Sequence, residues 1–294
     1  MQKLPTHAKI LATFFVLYTG ACLYTLVTYD LATEVLTRMF WCWLASLAVM
    51  SALFLVSRKL RRVDVVDVGW GLSFVAIAVT GYFLGGGHQV PFSTKTLVLV
   101  LVLVWALRLA THIGRRLLKS KSEDPRYTEL RSRWKSQSGL QTFIRIFVVQ
   151  SFLSLLVSIP IIHIHLLQEP EWSWLAVVGL AIWVIGFVIE VVADHQLATF
   201  VANPANKGKL MTKGLWSLSR HPNYFGELVM WWGVAVVCLG TPHGWVGLGG
   251  AVAITYLIVF VSGLPPAEKR ASTKPGWEEY KRTTSILIPA KPKV

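Results

Sequence analysis

Ionisable side chains occur inside segments of this sequence that are otherwise apolar. Arg108, His112 and Arg115 are spaced i, i+4 and i+7, which would place all three on one face of a helix. Glu190 and Asp194, spaced i and i+4, would share a helix face in the same way. An ionisable side chain at the centre of a bilayer costs roughly 2.5–3.5 kcal/mol by insertion scales. Each of these groups is therefore expected to have a partner, a polar cavity or a function.

The stretch from Arg220 to Glu227 is the most specific of these features. Pro222 suits the first residue of a helix, because its missing N–H would have no intrahelical partner there. The free N–H groups of that first turn, preceded by Arg220 and His221, are typical of an anion-binding corner. Asn223 and Glu227 would lie one turn apart on the same helix. A cytoplasmic helix start with an ordinary proline and a stop-transfer arginine is the alternative interpretation.

Taken together, these groups are what a phosphate-bearing cofactor entering a helix bundle from the cytosol would need. Arginine supplies paired donors to phosphates, and carboxylates accept hydrogen bonds from ribose hydroxyls or an amide. Mutual neutralisation, for example of Glu190 by Arg108, is the alternative, purely structural explanation.

The elements that must position these residues lie in a membrane. Of 294 residues, 54% are hydrophobic and only 15% are charged, which excludes a water-soluble globule. The net charge of +14 would suggest nucleic-acid binding in a soluble protein, but here it fits the Lys and Arg of cytoplasmic loops, and no nucleic acid is expected as a partner. The three cysteines predict neither a disulfide framework nor a metal site.

Eight apolar segments are long enough to span a bilayer, at about 10–29, 37–57, 67–86, 94–114, 143–164, 173–193, 222–241 and 244–264. With both termini in the cytoplasm, only Arg38, Lys95 and the intrahelical Arg108 fall outside the cytoplasmic stretches, as the positive-inside rule requires. The short turn at Thr241 leaves open a tight hairpin of the last two segments. The prediction is an all-α membrane bundle of seven to eight helices: an N-terminal transmembrane hairpin at 1–60 and a main membrane domain at 61–294.

Over about residues 60–290 the chain resembles the DUF1295 family. That family belongs to the membrane superfamily that contains steroid 5-alpha-reductases, sterol reductases and isoprenylcysteine carboxyl methyltransferases. The resemblance rests on a series of short motifs in order: Asp67 with Trp70-Gly71, Arg108, Glu123-Asp124-Pro125-Arg126-Tyr127, Glu190 with Asp194 and Gln196, Asn203-Pro204, Asn206-Lys207-Gly208, Gly214-Leu215-Trp216, Arg220 to Glu227, Ser262-Gly263 and Glu279-Tyr280-Lys281.

The resemblance implies a buried cofactor site formed by the C-terminal helices. The cofactor is NADPH in the reductases and S-adenosylmethionine in the methyltransferases. By similarity to the steroid enzymes, Asp194 and Asn223 match cofactor-binding positions, and Glu227 matches a glutamate of their seventh helix. The polar loop with Asn203, Asn206 and Lys207 likewise matches cofactor positions of the reductases. Glu190 stands where those enzymes commonly have Asn, and Arg108 matches a basic position on the cofactor side.

Two departures from the steroid enzymes concern the substrate. Their Gln-Glu pair on an early helix, which engages the substrate carbonyl, has no clear counterpart, and Asp64 and Asp67 occupy that region without matching it. Their His- and Tyr-rich stretch near the C-terminus is replaced by Glu268-Lys269-Arg270 and Trp277.

The function expected from these residues and this resemblance is NADPH-dependent reduction of a carbon–carbon double bond conjugated to a carbonyl, in a lipophilic substrate that arrives through the bilayer. The candidate catalytic groups are a protonated Asp67, Tyr82, Tyr224 and Glu227. The alternative is methyl transfer from S-adenosylmethionine to a lipid or isoprenylcysteine-type carboxylate, using the corner between Arg220 and Glu227. A non-enzymatic lipid-binding protein would not explain the internal charges. The expected location is a bacterial inner membrane or the endoplasmic reticulum, with the site facing the cytoplasm.

Overall fold

The computed structural model describes Gly20 and residues 32–90, 92–120, 122–134, 138–166 and 172–293. Within these residues the regular structure is helical, and extended pairing is limited to an isolated bridge between Ser219 and Ser285. The all-α prediction is confirmed. The predicted first span at 10–29 lies outside the described residues, apart from Gly20.

Twelve α-helices follow one another along the described residues: α1 Ala32–Leu60, α2 Val66–Leu84, α3 Thr94–Lys119, α4 Pro125–Ser132, α5 Gly139–Thr142, α6 Val149–Val157, α7 Ile159–Leu166, α8 Trp174–Ala202, α9 Pro222–Leu239, α10 Leu248–Tyr256, α11 Leu264–Ala271 and α12 Trp277–Thr283. Two π-helical segments, Phe143–Val148 and Leu257–Val261, continue α5 into α6 and extend α10. The predicted fifth span is interrupted between Val157 and Ile159, because Pro160 has no N–H with which to continue the helical hydrogen bonding.

Six helical segments of the described residues are long and apolar enough to cross a bilayer: Thr33–Leu60, Val63–Leu84, Thr94–Lys119, Gly139–Val157, Trp174–Ala202 and Gly244–Ala271. They coincide with the predicted spans two to six and eight, which confirms a helical membrane bundle. The predicted seventh span forms as α9, but its polar first turns, with Asn223 and Glu227, keep it outside this apolar set. The total of seven to eight spans and the side on which the termini lie stay predictions.

The chain divides into two compact units. Unit 1 comprises residues 1–172 and 241–250, and unit 2 comprises residues 173–240 and 251–294. The predicted boundary near residue 60 falls inside unit 1. In unit 1, α2 packs against α1, α3 and α7. The contact of α2 with α3 is close at Gly71, where an added Cβ would lie 2.8 Å from the Ala106 carbonyl oxygen.

Helix α8 in unit 2 has its apolar face outward. Large side chains such as Val177, Ile185 and Val188 are exposed. The buried side chains recur every three or four residues and are mostly small or polar: Ala176, Gly179, Trp183, Gly186, Glu190, Ala193 and Asp194. This arrangement suits a helix whose outer face meets lipid and whose inner face meets another helix at close range.

Helices α8 and α9 touch through their backbones. A Cβ added at Gly186 would lie 2.5 Å from the Met230 amide nitrogen, and one added at Gly226 would lie 2.6 Å from the Glu190 amide nitrogen. Gly179 and Gly233 repeat the pattern seven residues away on each helix. Because the two helices run antiparallel, this crossing brings the C-terminal half of α8, with Asp194, beside the first turn of α9, with Asn223.

We predict that Gly186→Ala destabilises the protein by about 1–3 kcal/mol, because the new methyl group forces α8 and α9 apart. The matched control is Gly114→Ala in α3, where no heavy atom lies within 4 Å of the added Cβ. This control is expected to be neutral or to gain up to about 1 kcal/mol from helix propensity. Thermal unfolding in detergent measures both. Equal melting temperatures for the two variants would contradict the backbone contact.

Candidate functional site

An amide and a carboxylate meet at the α8–α9 crossing. The Nδ2 atom of Asn223 donates to Oδ1 of Asp194 at 3.2 Å. Asp194 is buried, at 8% exposure. The NH2 group of the amide faces this carboxyl oxygen, because an amide donates only through its nitrogen. The carbonyl oxygen of the same amide, Oδ1 of Asn223, is buried and has no hydrogen-bond partner among the described residues.

Glu190 lies one turn before Asp194 on the same buried face and is 3% exposed. Its backbone is the part of α8 that Gly226 approaches. Glu190, Asp194 and Asn223 are here called the α8–α9 polar cluster. The cluster combines two carboxylates with a buried amide carbonyl, so it is suited to a ligand that presents N–H or O–H donors, such as a carboxamide, an adenine amine or ribose hydroxyls.

Two side-chain contacts fix the segment that leads into α9. The Nε1 atom of Trp216 donates to the Ala193 carbonyl at 3.0 Å, and the Leu215 amide donates to Oε1 of Gln196 at 3.0 Å. Gly214 has a φ of +62°, and a Cβ there would lie 2.6 Å from the Gln196 amide group. The Gly214-Leu215-Trp216 motif is thereby held on α8, directly before the residues that enter α9.

Arg220 is engaged by the C-terminal part of unit 2. Its Nε and Nη2 atoms donate to both carboxylate oxygens of Glu268, at 3.1 and 2.8 Å. Its Nη1 atom donates to the carbonyls of Lys281 and Thr284, each at 2.9 Å. His221 Nε2 lies 2.7 Å from Oε1 of the same Glu268. The two residues predicted for anion binding, Arg220 and His221, therefore converge on a carboxylate of the chain itself.

His221 is buried at 7% exposure, and its ring stacks on that of Tyr224 with the centroids 5.6 Å apart. Burial lowers the pKa of His221, and the neighbouring Arg220 acts in the same direction, while the contact with Glu268 opposes the shift. A neutral imidazole donates to Glu268 through its Nε2–H. The orientation of the Tyr224 ring is thus linked to the Glu268 contact.

In unit 1, Asp67 accepts hydrogen bonds at both oxygens. Arg126 Nη2 donates to its Oδ2 at 2.8 Å, and the Tyr127 hydroxyl donates to its Oδ1. Burial raises the pKa of Tyr127 well above its ordinary value, and the charge of Asp67 adds to the shift, so this hydroxyl keeps its proton. These contacts engage both oxygens of the carboxyl group, and the expectation that Asp67 is protonated stays a prediction. A catalytic role for Asp67 stays a prediction.

Neighbouring contacts tie the start of α2 to the loop before α4. Asp64 accepts from Arg62 at 3.0 and 2.8 Å and from the Asp124 amide at 2.9 Å. The Val63 amide donates to Glu123 at 2.6 Å. Two family motifs some sixty positions apart thus form one polar cluster. The sequence marked Arg126 and Tyr127 only as motif members, and no spacing rule paired them with Asp67.

Three other predicted residues also lie in unit 1. The Tyr82 hydroxyl lies 3.1 Å from Oγ1 of Thr96. Since Tyr82 follows Asp67 by fifteen residues on one helix, the two lie about 22 Å apart along its axis and cannot act on the same atom. Arg108 is half-buried and Arg115 is exposed, both on α3. Their convergence with Asp194 and Asn223 on one cofactor stays a prediction.

The remaining predicted residues lie in unit 2. Asn203 Oδ1 accepts from the Ala205 amide at 3.0 Å, and Asn206 Nδ2 donates to the Phe200 carbonyl at 2.9 Å, so both shape the turn that follows α8. Lys207 is exposed beside them, and Glu227 is half-buried on α9, one turn after Asn223. The structure thus brings Glu190 and Asp194 together with the start of α9. Ligand contacts of the 203–207 turn stay a prediction.

Comparison with known proteins supports the resemblance seen in the motifs. The family model described as "Protein of unknown function (DUF1295)" matches residues 53–284. Steroid 5-alpha-reductase DET2 of Arabidopsis thaliana is 30% identical over 130 residues, which are 42% of this chain and 44% of that protein. Mouse 3-oxo-5-alpha-steroid 4-dehydrogenase 1 is 32% identical over 117 residues, 38% of this chain and 40% of that protein. The probable O-methyltransferase ustE of Ustilaginoidea virens is 34% identical over 96 residues, 33% of this chain and 32% of that protein.

The matched segments thus cover less than half of each of these three relatives. No solved structure matches the chain.

We predict that Arg126→Met destabilises the protein by about 1–3 kcal/mol, because it leaves the Asp67 carboxylate without its cationic partner. The matched control is Arg133→Met, which removes an exposed ion pair with Glu129, whose side chains are 70% and 48% exposed. Exposed pairs of this kind contribute about 0.3–0.5 kcal/mol. Chemical or thermal unfolding in detergent compares the two, and an equal loss would contradict a structural role for the Asp67 contacts.

We predict that His221 makes the protein less stable in mild acid. Since the folded-state pKa of His221 is lowered, the unfolded state binds more protons, and stability falls as the pH drops below about 6.5, the ordinary histidine value. His221→Gln is expected to reduce the difference in melting temperature between pH 7.5 and 5.5, whereas His195→Gln, at an exposed position on α8, leaves it unchanged. An unchanged difference in His221→Gln would contradict the burial of a neutral imidazole between Arg220, Glu268 and Tyr224.

Proposed function

We propose that this chain, which belongs to the DUF1295 family, is an NADPH-dependent membrane reductase of a carbon–carbon double bond conjugated to a carbonyl group. The substrate is a lipophilic molecule, of the 3-oxo-4-ene steroid type or another lipid, that enters from the bilayer. The similarity of parts of the chain to a steroid 5-alpha-reductase and to a 3-oxo-5-alpha-steroid 4-dehydrogenase supports this reaction class. The observation that carries the proposal is the amide of Asn223.

The Asn223 amide has a hydrogen-bond partner for its NH2 group and none among the described residues for its oxygen. Asp194 holds the NH2 group, and the oxygen is buried. A buried acceptor without a hydrogen bond costs about 1–3 kcal/mol, which a ligand N–H would recover. The carboxamide of a nicotinamide provides such an N–H. The residues of the α8–α9 polar cluster therefore fit this group.

Nicotinamide, when bound, supplies the hydride that the reduction needs. The chain would contribute orientation and electrostatics: Asn223 would accept from the carboxamide, Asp194 holds Asn223, and Glu190 would accept from a ribose hydroxyl. Tyr224, next to Asn223, is the candidate in unit 2 that donates to the substrate carbonyl and stabilises the negative charge developing on its oxygen. Water or Glu227, one turn further along α9, provides the proton for the α carbon.

Methyl transfer from S-adenosylmethionine is the second candidate. It is favoured by the segment similar to a probable O-methyltransferase. In this alternative the corner between Arg220 and Glu227 holds the carboxylate and amine of the cofactor. The contacts of Arg220 with Glu268 give that arrangement less support, because a cofactor carboxylate would have to replace an existing one.

Cofactor-dependent thermal stabilisation of the detergent-solubilised protein distinguishes the two functions. A ligand at 100 times its dissociation constant stabilises by about 2.7 kcal/mol. We expect this effect from NADPH and not from S-adenosylmethionine. Asn223→Leu removes the amide at similar volume and is expected to reduce the NADPH effect strongly. Thr255→Val, which removes a hydroxyl that donates to the Ala251 carbonyl and accepts from Nε1 of Trp232, nine residues after Asn223 on α9, is the control and keeps the effect.

Stabilisation by S-adenosylmethionine alone would show that the reductase proposal is wrong. An undiminished NADPH effect in Asn223→Leu would show that the cofactor binds away from the α8–α9 polar cluster.

A further inference from the structure

Arg220 and His221, which the sequence predicts as ligands of a cofactor anion, already contact a carboxylate of the chain itself. Arg220 is 6% exposed, and the carboxylate of Glu268 that faces it is 20% exposed. Both oxygens of that carboxylate are used, Oε2 by Arg220 and Oε1 by Arg220 and His221. The face of the Arg220 guanidinium lies over the ring of Trp277, 5.4 Å from its centroid.

We propose that Glu268 is a built-in anion that occupies the corner formed by Arg220 and His221, and that it thereby positions the first turn of α9 and the amide of Asn223. Arg220 and His221 are then positioning residues rather than ligands of a cofactor phosphate. The proposal rests on the proposed function only in using NADPH as the ligand that reports on Asn223.

The N–H groups of Arg220 leave little capacity to bind an external anion, because most of them already donate to groups of the chain. Besides its two bonds to Glu268, the guanidinium donates to the Lys281 and Thr284 carbonyls. These four hydrogen bonds use four of the five N–H groups of an arginine. An external phosphate would have to displace Glu268 and would leave that carboxylate half-buried without its partners, at a cost that the new contacts must exceed.

The backbone links the positions of Arg220 and His221 to that of Asn223. The Arg220 amide donates to the Ser285 carbonyl at 2.8 Å, so the residue is held by its main chain as well as its side chain. The first hydrogen bond into α9 runs from the Phe225 amide to the His221 carbonyl, at 3.1 Å. Asn223 lies within this turn. Holding Arg220 and His221 on Glu268 therefore sets the direction in which the Asn223 amide points toward Asp194.

The C-terminal segment completes the support. Ser219 Oγ donates to the Leu287 carbonyl at 2.7 Å, and the Ala290 amide donates to the Leu218 carbonyl at 3.0 Å. The Tyr280 hydroxyl donates to the Trp216 carbonyl at 2.6 Å. The C-terminal segment thus forms hydrogen bonds with residues 216–219, directly before α9, and Glu268 adds a charged contact with Arg220.

The test removes the carboxylate of Glu268 and supplies a small carboxylate from solution in its place. Glu268→Ala is expected to weaken NADPH binding by about tenfold, the equivalent of one charge-assisted hydrogen bond. Sodium acetate or formate is expected to restore most of the affinity by entering between Arg220 and His221, whereas sodium chloride at the same ionic strength does not. The matched control is Glu279→Ala, another Glu–Arg pair of the C-terminal region, whose side chains are 66% and 62% exposed. It is expected to show neither the loss nor the rescue.

Two further readouts separate positioning from a general structural role. If Glu268 acts through the amide, Glu268→Ala causes no additional loss of NADPH affinity in an Asn223→Leu background. Hydrogen–deuterium exchange of the peptide spanning 217–226 needs no cofactor. It is expected to rise in Glu268→Ala and to fall again with acetate. The exchange result tests this inference even if NADPH fails to bind the unaltered protein, which would overturn only the proposed function.

Unchanged or tighter NADPH binding by Glu268→Ala would overturn the inference, since it would mean that Arg220, once released, binds the cofactor itself. Absence of an acetate effect on both affinity and exchange would overturn it as well. If Glu268→Ala fails to fold, Glu268→Gln keeps the side-chain volume and removes the charge. It is expected to lose affinity several-fold and to exchange faster at 217–226, and wild-type behaviour in both measurements would contradict the proposal.

Discussion

The backbone contact between α8 and α9 is the constraint on which the candidate site depends. Glycine at positions 186 and 226 lets the two helices approach until a single added carbon would meet main-chain atoms at 2.5–2.6 Å. At that separation, Asp194 and Asn223 meet with a 3.2 Å hydrogen bond, and Glu190 lies buried beside them. A wider helix pair would admit lipid or water and leave two carboxylates facing it. Close packing is therefore what makes a polar cluster tolerable in an otherwise apolar bundle.

Charge inside the bundle is organised into local sets in each unit. In unit 1, Arg126 and Tyr127 hold Asp67 at the start of α2. In unit 2, Arg220 and His221 hold Glu268. A buried ion pair contributes little net stability, because desolvation offsets the attraction, but it favours one arrangement over others. The two sets thus define the starts of α2 and α9. In unit 2, Asn223 lies in the first turn of α9, whose position Arg220, His221 and Glu268 define.

Parts of this structure follow directly from local sequence patterns, and other parts do not. Apolar length and charge placement predict the spans, and the i, i+4 spacing of Glu190 and Asp194 predicts their shared buried face, as observed. Pro222 predicts the start of α9 correctly. Helical periodicity identifies a face but not its partner. It therefore does not predict the contact of Arg126 with Asp67, 59 residues apart, or that of Arg220 with Glu268, 48 residues apart.

In the proposed function, the Asn223 amide, held by Asp194, receives the cofactor. An electron cryomicroscopy map of the protein with NADPH tests it most directly. We expect ligand density within hydrogen-bonding distance of Oδ1 of Asn223, with the Asp194 contact retained. Density for the nucleotide at another place, with the Asn223 carbonyl closed off by protein, would contradict it.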